Sequence, residues 1–258
     1  MSSILVNKQD GVAWVTINRP EQMNCFQYET LCTLEEEVNS LAADASVHVV
    51  CFTGAGDKAF STGADLKERR TLTEDQVRRN VRTISRVFQR VAELPQVTIA
   101  MVNGYAFGGG FELMLACDFR FAAEEATMGL TEVGWGIIPG AGGTQRLPRL
   151  IGEAKAKELI FTAKRMEAQE AKQLGIVEHV CKRAQLCEET EAFVERLLQQ
   201  APVALKQAKH AIQEGLNSDL RTGLAIEQKA YEVTIPTKDR IEALDAFREK
   251  RKPAFKGC

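Results

Sequence analysis

Three consecutive glycines, Gly108 to Gly110, separate a β-rich run, VTIAMVNGYAF, from an apolar segment, FELMLACD, and no other stretch constrains the chain as much. Glycine weakens helices and strands unless the backbone needs unusual dihedrals or something must approach it closely. A strand that ends in glycines and feeds a helix aims backbone N–H groups at one point, with the helix dipole behind them. Such a point can hold an anion, or an oxygen that becomes anionic during a reaction. The first charge after the glycines is Glu112, set among apolar residues. A carboxylate there is costly unless it is paired, hydrogen-bonded or protonated. The two costs side by side mark a site, although a tight turn against a neighbouring element would explain the glycines alone.

Around that break the first half of the chain alternates strand and helix. GVAWVTI is β-rich and ends at the proline-containing turn NRPEQMN, and VHVVCFTGAG reads as a buried strand closed by glycines. Between them, YETLCTLEEEVNSLAAD puts Leu31, Leu34, Val38 and Leu41 at helical spacing, with acids on the other face. DKAFSTGADLKERR reads as a loop. A helix is expected from about Thr73 to Glu93, striped by Val77, Val81, Ile84, Val87, Phe88 and Val91. VTIAMVNGYAF is the next buried strand, the glycines open a short apolar helix, and FRFAAEEATMGL gives another strand. From Ile138 the character turns helical: PGAGGTQRLPRLIG enters a short helix, and helices are expected over 153–162, 168–174, 186–200, 203–215, 220–233 and 238–250, interrupted by one strand, GIVEHVC. An α/β core with a helical C-terminal part is the coarse reading.

Composition narrows the function classes. With 258 residues, 45% hydrophobic and 26% charged, the chain can bury a sizeable core. A net charge of -2 gives no electrostatic reason to expect nucleic acid or an anionic membrane as partner. The basic clusters KERR and REKRK read as solvated faces, or as contacts to a phosphate-bearing small ligand. Seven cysteines, an odd count with no C-x-x-C pair, argue against a disulfide framework and a zinc site. His48, His179 and His210 are scattered, so no metal is expected. The N-terminal stretch carries Asp10 before its longest apolar run and lacks the character of a signal peptide or presequence. No apolar stretch approaches a membrane span. A reducing, cytoplasmic compartment fits these features.

Glycine-rich loops invite a nucleotide reading, which fails. The G-x-G-x-x-G fingerprint is broken at GAGDKAF, GGGFEL and GAGGTQ, and no P-loop motif occurs. An oxyanion hole fits better, because a second loop, FSTGAD, also leaves a strand and could supply a second N–H. Glu132, in GLTEVGWGIIPGAGG, is another isolated acid. Two glutamates beside one oxyanion hole, in a site low in water, can divide acid and base roles. Equally, Glu132 can cap a helix or pair with Arg146, and residue chemistry leaves both open.

At KAFSTGADLKE, NGYAFGGGFELMLACDFRFA and GIIPGAGGTQRLPRLIG the sequence resembles the crotonase (enoyl-CoA hydratase/isomerase) family, and the likeness runs from VTINRPEQMN to FREKRKPAFKG. The resemblance implies an α/β fold: a ClpP/crotonase-like spiral of ββα units over 1–195, then a helical C-terminal oligomerisation region over 196–258. It implies an oxyanion hole made by the backbone N–H groups of Ala64 and Gly109, holding the thioester oxygen of an acyl-CoA substrate. Family hydratases keep two glutamates, matched here by Glu112 and Glu132. Glu132 would give a proton to the α-carbon and Glu112 would act as base toward water. Ala64, Asp65, Leu66, Lys67 and Gly109 would line the acyl-CoA path, and Phe255 and Lys256 would reach coenzyme A. The segment MNCFQ, Met23 to Gln27, departs from the more usual Asn-Ala-Leu pattern.

The reaction implied is reversible addition of water across the 2,3 double bond of a short-chain or branched enoyl-CoA, giving a 3-hydroxyacyl-CoA. Δ3,Δ2-enoyl-CoA isomerisation, or other acyl-CoA chemistry of the family, is the alternative. Coenzyme A enters as part of the substrate, with no further cofactor and no metal, and the resemblance implies a homotrimer or a hexamer built as a dimer of trimers. Within the family, GADLKER, AKELIF, GLAIE, TIPTKDR and EKRKPAFKG are similar to methylglutaconyl-CoA hydratases. That substrate carries a second carboxylate, which Arg69 or Arg70 could recognise unless both are solvated loop arginines. Some relatives in this group bind RNA through a lysine-rich helix; the matching region here, LCTLEEEVNSL, is acidic, so no nucleic acid partner is expected.

Overall fold

The structure, a computed structural model, describes residues 2–258. It divides into two compact units, one comprising residues up to Leu94 and Thr98–Thr190, the other Pro95–Val97 and Glu191–Cys258. Among the described residues no helix is long and apolar enough to cross a membrane.

The chain opens with β1 (Ile4–Gln9) and β2 (Val12–Ile17), then α1 (Tyr28–Ala43), β3 (Val49–Gly54), β4 (Ala59–Ser61), α2 (Leu66–Arg69) and α3 (Glu74–Ala92). Next come β5 (Val97–Val102), β6 (Tyr105–Phe107), α4 (Gly109–Ala116), β7 (Phe119–Ala123) and β8 (Thr127–Gly129). A 3-10 turn (Glu132–Trp135) leads to α5 (Gly143–Ile151), α6 (Glu153–Phe161), β9 (Met166–Glu167), α7 (Ala168–Gln173) and β10 (His179–Cys181). The chain ends in α8 (Leu186–Leu198), α9 (Pro202–Leu216), α10 (Leu220–Thr234) and α11 (Lys238–Glu249).

The strands form two sheets, ordered β1-β2-β3-β5-β7-β10 and β4-β6-β8-β9. In each successive pair, β3/β4, β5/β6 and β7/β8, the first strand joins the large sheet and the second joins the small one. A helix or helical turn follows each pair, so every circuit of the chain stacks one ββα unit on the last. This is the spiral expected from the sequence. The stretch FRFAAEEATMGL is therefore two strands in two sheets, not one. It bends after Ala123, where the Ala126 N–H donates to the Ala123 carbonyl at 2.9 Å and Glu124 and Glu125 turn out to solvent. DKAFSTGADLKERR, expected as a loop, contains β4 and α2.

The core follows the helical faces read from the sequence. Leu31, Leu34, Val38 and Leu41 of α1 are all buried. α3 is anchored by a capping box between Thr73 and Gln76, which satisfies two otherwise orphaned backbone donors. Only the later part of its stripe, Val87, Phe88 and Val91, joins the core, together with Thr83.

The second unit is helical. α9 and α10 cross where Gly215 and Gly223 meet: a Cβ on Gly223 would lie 3.4 Å from the Gly215 Cα. Buried Asp239 of α11 accepts the Lys256 and Gly257 N–H groups at 2.7 and 2.8 Å, fixing the C-terminal segment to its own helix. Leu216, Leu220, Tyr231 and Phe247 are large apolar side chains left exposed on these helices.

Candidate active site

The small sheet positions the site. β4, β6 and β8 are mutually parallel, so their C-terminal ends lie on one edge, the usual location for ligands in parallel sheets. Leaving those ends, the chain reaches Ala64 after β4, Gly109 after β6 and Glu132 after β8.

Glycine lets the first two loops touch. Gly63 has φ +84°, and a Cβ there would sit 2.7 Å from the Gly109 nitrogen. A Cβ on Gly109 would lie 3.0 Å from Ile84 Cδ1, 3.3 Å from the Gly63 Cα and 3.8 Å from the Ala64 nitrogen. The two backbones are thus in van der Waals contact. Ala64 bridges to Phe26 in parallel fashion, through the Phe26 N–H to Gly63 O bond (2.7 Å) and the Asp65 N–H to Phe26 O bond (2.9 Å). In a parallel bridge this pattern turns the Ala64 N–H the other way, toward Gly109. Gly109 begins α4, where the first N–H groups have no partner within the helix. Among the described residues neither the Ala64 nor the Gly109 N–H donates to any protein acceptor.

Glu112 is 3% exposed and is one of α4's entirely buried residues. Its Oε1 accepts the Ala141 N–H at 2.7 Å and the Gly143 N–H at 2.8 Å, at the N-terminal end of α5. Burial raises its pKa, while those two N–H donors and the charge of Arg146 act the other way and favour the anion. Glu132 opens the 3-10 turn, with Oε1 packed 3.3 Å from where a Gly108 Cβ would be. Its Oε2 is buried and has no hydrogen-bond partner among the described residues. Burial and the neighbouring Glu112 charge push its pKa up to about 7, against the opposing influence of Arg69. It forms no ion pair with Arg146, which bonds the Ala141 carbonyl and Gln89 instead. The two carboxyls therefore differ in kind: Glu112 is held by two backbone donors from another loop, whereas Glu132 keeps a buried oxygen without a donor and is easily protonated.

Both face a cavity of about 610 Å³ whose lining lies entirely in the first unit. Of the residues named from sequence, Ala64, Leu66, Gly109, Glu112 and Glu132 line it, as does Arg69. Asp65 does not. It is 6% exposed, pairs with Arg19 at 3.1 Å and caps α2 by accepting the Lys67 and Glu68 N–H groups. Lys67 is exposed and does not line the cavity, and neither does Arg70. Phe255 and Lys256 belong to the second unit, at the segment held by Asp239.

The sequence reading missed several walls of this cavity. Val77, Val81 and Ile84 belong to the apolar stripe expected for α3, and they line the cavity. They share one stripe with buried Val87, Phe88 and Val91 and differ from them only in lying nearer the start of the helix, so periodicity gives no signal that separates the two groups. Trp135 and Ile138, exposed at 66% and 70%, sit at the same cavity in the segment that follows Glu132. The Ala141 and Gly143 donors were also unforeseen, because backbone N–H groups carry no residue-type signature.

Comparison with known proteins follows this geometry. The enoyl-CoA hydratase/isomerase family model matches residues 7–258. The chain is 44% identical to human mitochondrial methylglutaconyl-CoA hydratase, over 98% of this chain and 76% of that protein. It is 40% identical to a short-chain-enoyl-CoA hydratase of Clostridium acetobutylicum, over 98% and 97%. The crystal structure of an enoyl-CoA hydratase from Bacillus anthracis superposes with a TM-score of 0.97 at 49% identity, covering 99% of this chain and 100% of that one.

Proposed function

Because the chain belongs to the enoyl-CoA hydratase/isomerase family, we propose that it adds water reversibly across the 2,3 double bond of an enoyl-CoA to give a 3-hydroxyacyl-CoA. The observation that carries this reading is the meeting, in one largely apolar cavity, of two unpartnered N–H groups with two carboxyls of unequal environment.

A thioester conjugated to a double bond is electrophilic at its β-carbon. Attack by water sends the electron pair through the α-carbon onto the thioester oxygen, where the Ala64 and Gly109 N–H groups receive the charge. Glu112 takes the proton leaving the water, and Glu132 gives its own proton to the α-carbon. One proton must then pass from Glu112 to Glu132 to restore the starting state. No bond is oxidised or reduced, so coenzyme A is needed only as the handle of the substrate. Lys67 is the residue of the first unit that we assign to that handle, and the family resemblance assigns Phe255 and Lys256 to coenzyme A across a subunit boundary. The exposed Leu216, Leu220, Tyr231 and Phe247 support assembly into a homotrimer or hexamer.

This division of roles fixes a pH dependence. Glu132 must be protonated to donate, so the rate is expected to fall as pH rises through about 7. Glu112 must be ionised to accept, so the rate also falls on the acid side. A pH–rate profile that stayed flat well above 7 would remove Glu132 from the donor role.

For the acyl group, the reading we favour is a short branched diacid such as 3-methylglutaconyl-CoA. Arg69 lines the cavity, and among the described residues its guanidinium has no hydrogen-bond or ion-pair partner. A charge-assisted bond to a distal carboxylate contributes about 1.5–3 kcal/mol. Arg69→Met is therefore expected to lower kcat/KM for 3-methylglutaconyl-CoA by about 10- to 100-fold, the same energy expressed as a rate. The value for crotonyl-CoA should stay nearly unchanged. Hydration of both thioesters, followed side by side by loss of the conjugated absorbance, tests the whole proposal. Failure to hydrate either would refute it.

A further inference from the structure

We propose that Arg146 is a positioning residue for Glu112, acting through the Ala141–Gly143 loop; this rests on the reading of Glu112 as the base. The guanidinium lies across Gly142, whose φ of +109° and missing side chain make room for it: a Cβ there would fall 1.9 Å from Nη1. From that seat Nη1 donates to the Ala141 carbonyl at 3.0 Å. Nη2 donates to Gln89 Oε1 at 2.8 Å. Gln89 is itself oriented, because its Nε2 donates to Glu93 at 2.7 Å. The fork of the guanidinium thus ties α3 to the loop residue whose own N–H holds Glu112 Oε1 at 2.7 Å.

Nothing in this chain of contacts touches the cavity by way of Arg146, which is absent from the cavity wall. Its effect is therefore transmitted through two features of Glu112. One is orientation: with Oε1 fixed by Ala141 and Gly143, the carboxyl cannot rotate, and Oε2 is the oxygen left for a water molecule. The other is charge. Glu112 is faced by the Glu132 carboxyl from the 3-10 turn and by Arg146 from α5, with Arg69 acting on Glu132 from α2. Arg146 in turn faces Glu93 at the end of α3 and Cys117 after α4. It adds its charge to the Gly143 and Ala141 donors that act against the burial of Glu112, and a guanidinium suits the task because it stays charged where a lysine readily loses its proton.

The test is a pair of variants, Arg146→Met and Gln89→Leu, assayed on crotonyl-CoA across pH beside Glu112→Gln. A misplaced catalytic group costs about 10²-fold. Arg146→Met is expected to lose about that much in kcat with KM little changed, and its acid limb should move to higher pH as Glu112 becomes harder to ionise. Gln89→Leu keeps the cation but frees it, and should give a smaller loss in the same direction. Arg146→Lys should recover part of the limb position without the full rate. The carboxyl signal of Glu112, followed by isotope-edited infrared spectroscopy in the absence of substrate, should titrate higher in Arg146→Met. If Arg146→Met and Gln89→Leu both fold and keep the wild-type limb and Glu112 titration, the inference is wrong. If Glu112→Gln itself stays active, the catalytic reading beneath it fails instead.

Discussion

Glu112→Gln is expected to lower kcat for hydration of crotonyl-CoA by about 10³-fold, with KM nearly unchanged, which is the usual scale for losing a positioned base. The substitution is close to isosteric, and the amide oxygen can still accept the Ala141 and Gly143 N–H groups that now bind Oε1. The scaffold around the site should survive. What disappears is the capacity to take a proton from water, because an amide is not a useful base. Stability provides the control. Burial of the native carboxylate is unfavourable enough to raise its pKa, so a neutral amide should leave the melting temperature unchanged or higher. The same variant separates hydration from Δ3,Δ2-isomerisation. An isomerase shuttling its proton on Glu132 alone would lose little. A folded variant with near-native hydration would remove Glu112 from the mechanism.

Gly109→Val should abolish turnover while preserving the fold, with a loss of at least about 10²-fold, the scale of deleting one oxyanion donor. The new Cβ would stand 3.3 Å from the Gly63 Cα and 3.8 Å from the Ala64 nitrogen, between the two N–H groups. The branched methyls then fill the position a thioester oxygen must occupy. The Ile84 side chain, 3.0 Å from that Cβ, can yield because its Cδ1 is the free end of a flexible chain. Gly109→Ala, with no branches, should retain partial activity. Circular dichroism and the oligomeric state would verify folding, and a well-folded Gly109→Val enzyme at full rate would refute the oxyanion assignment.

Much of this arrangement was legible in the residues. The buried face of α1, the strand VTIAMV, the glycine run and the isolated acids all announce themselves by type and spacing. Other parts do not. β1 was overlooked although Asp10 and Gly11, both with positive φ, form the two-residue turn that joins it to β2. Its residues Lys8 and Gln9 are polar and its outer face is exposed, so no apolar period marks it. β4 is three residues long, too short for any alternation to show. The division of α3 between core and cavity, and the seat of Arg146 over Gly142, depend on partners that the chain brings in from other circuits of the spiral. The catalytic reading of Glu112 and Glu132 came from resemblance; residue chemistry alone left Glu132 balanced between a cap, an ion pair and an acid. Among the described residues it makes no ion pair, and the 3-10 turn it opens has no side-chain cap bond.

The stacking of β4, β6 and β8 also bears on how the protein comes to exist. The strand ends belong to different circuits of the chain: Ala64 follows β4, Gly109 and Glu112 follow β6, and Glu132 follows β8. None of the circuits alone holds the whole site, because the second N–H and the second carboxyl come from the neighbouring ones. Activity is thus a stringent readout of complete packing, because it requires three neighbouring turns of the coil to stand at the same height.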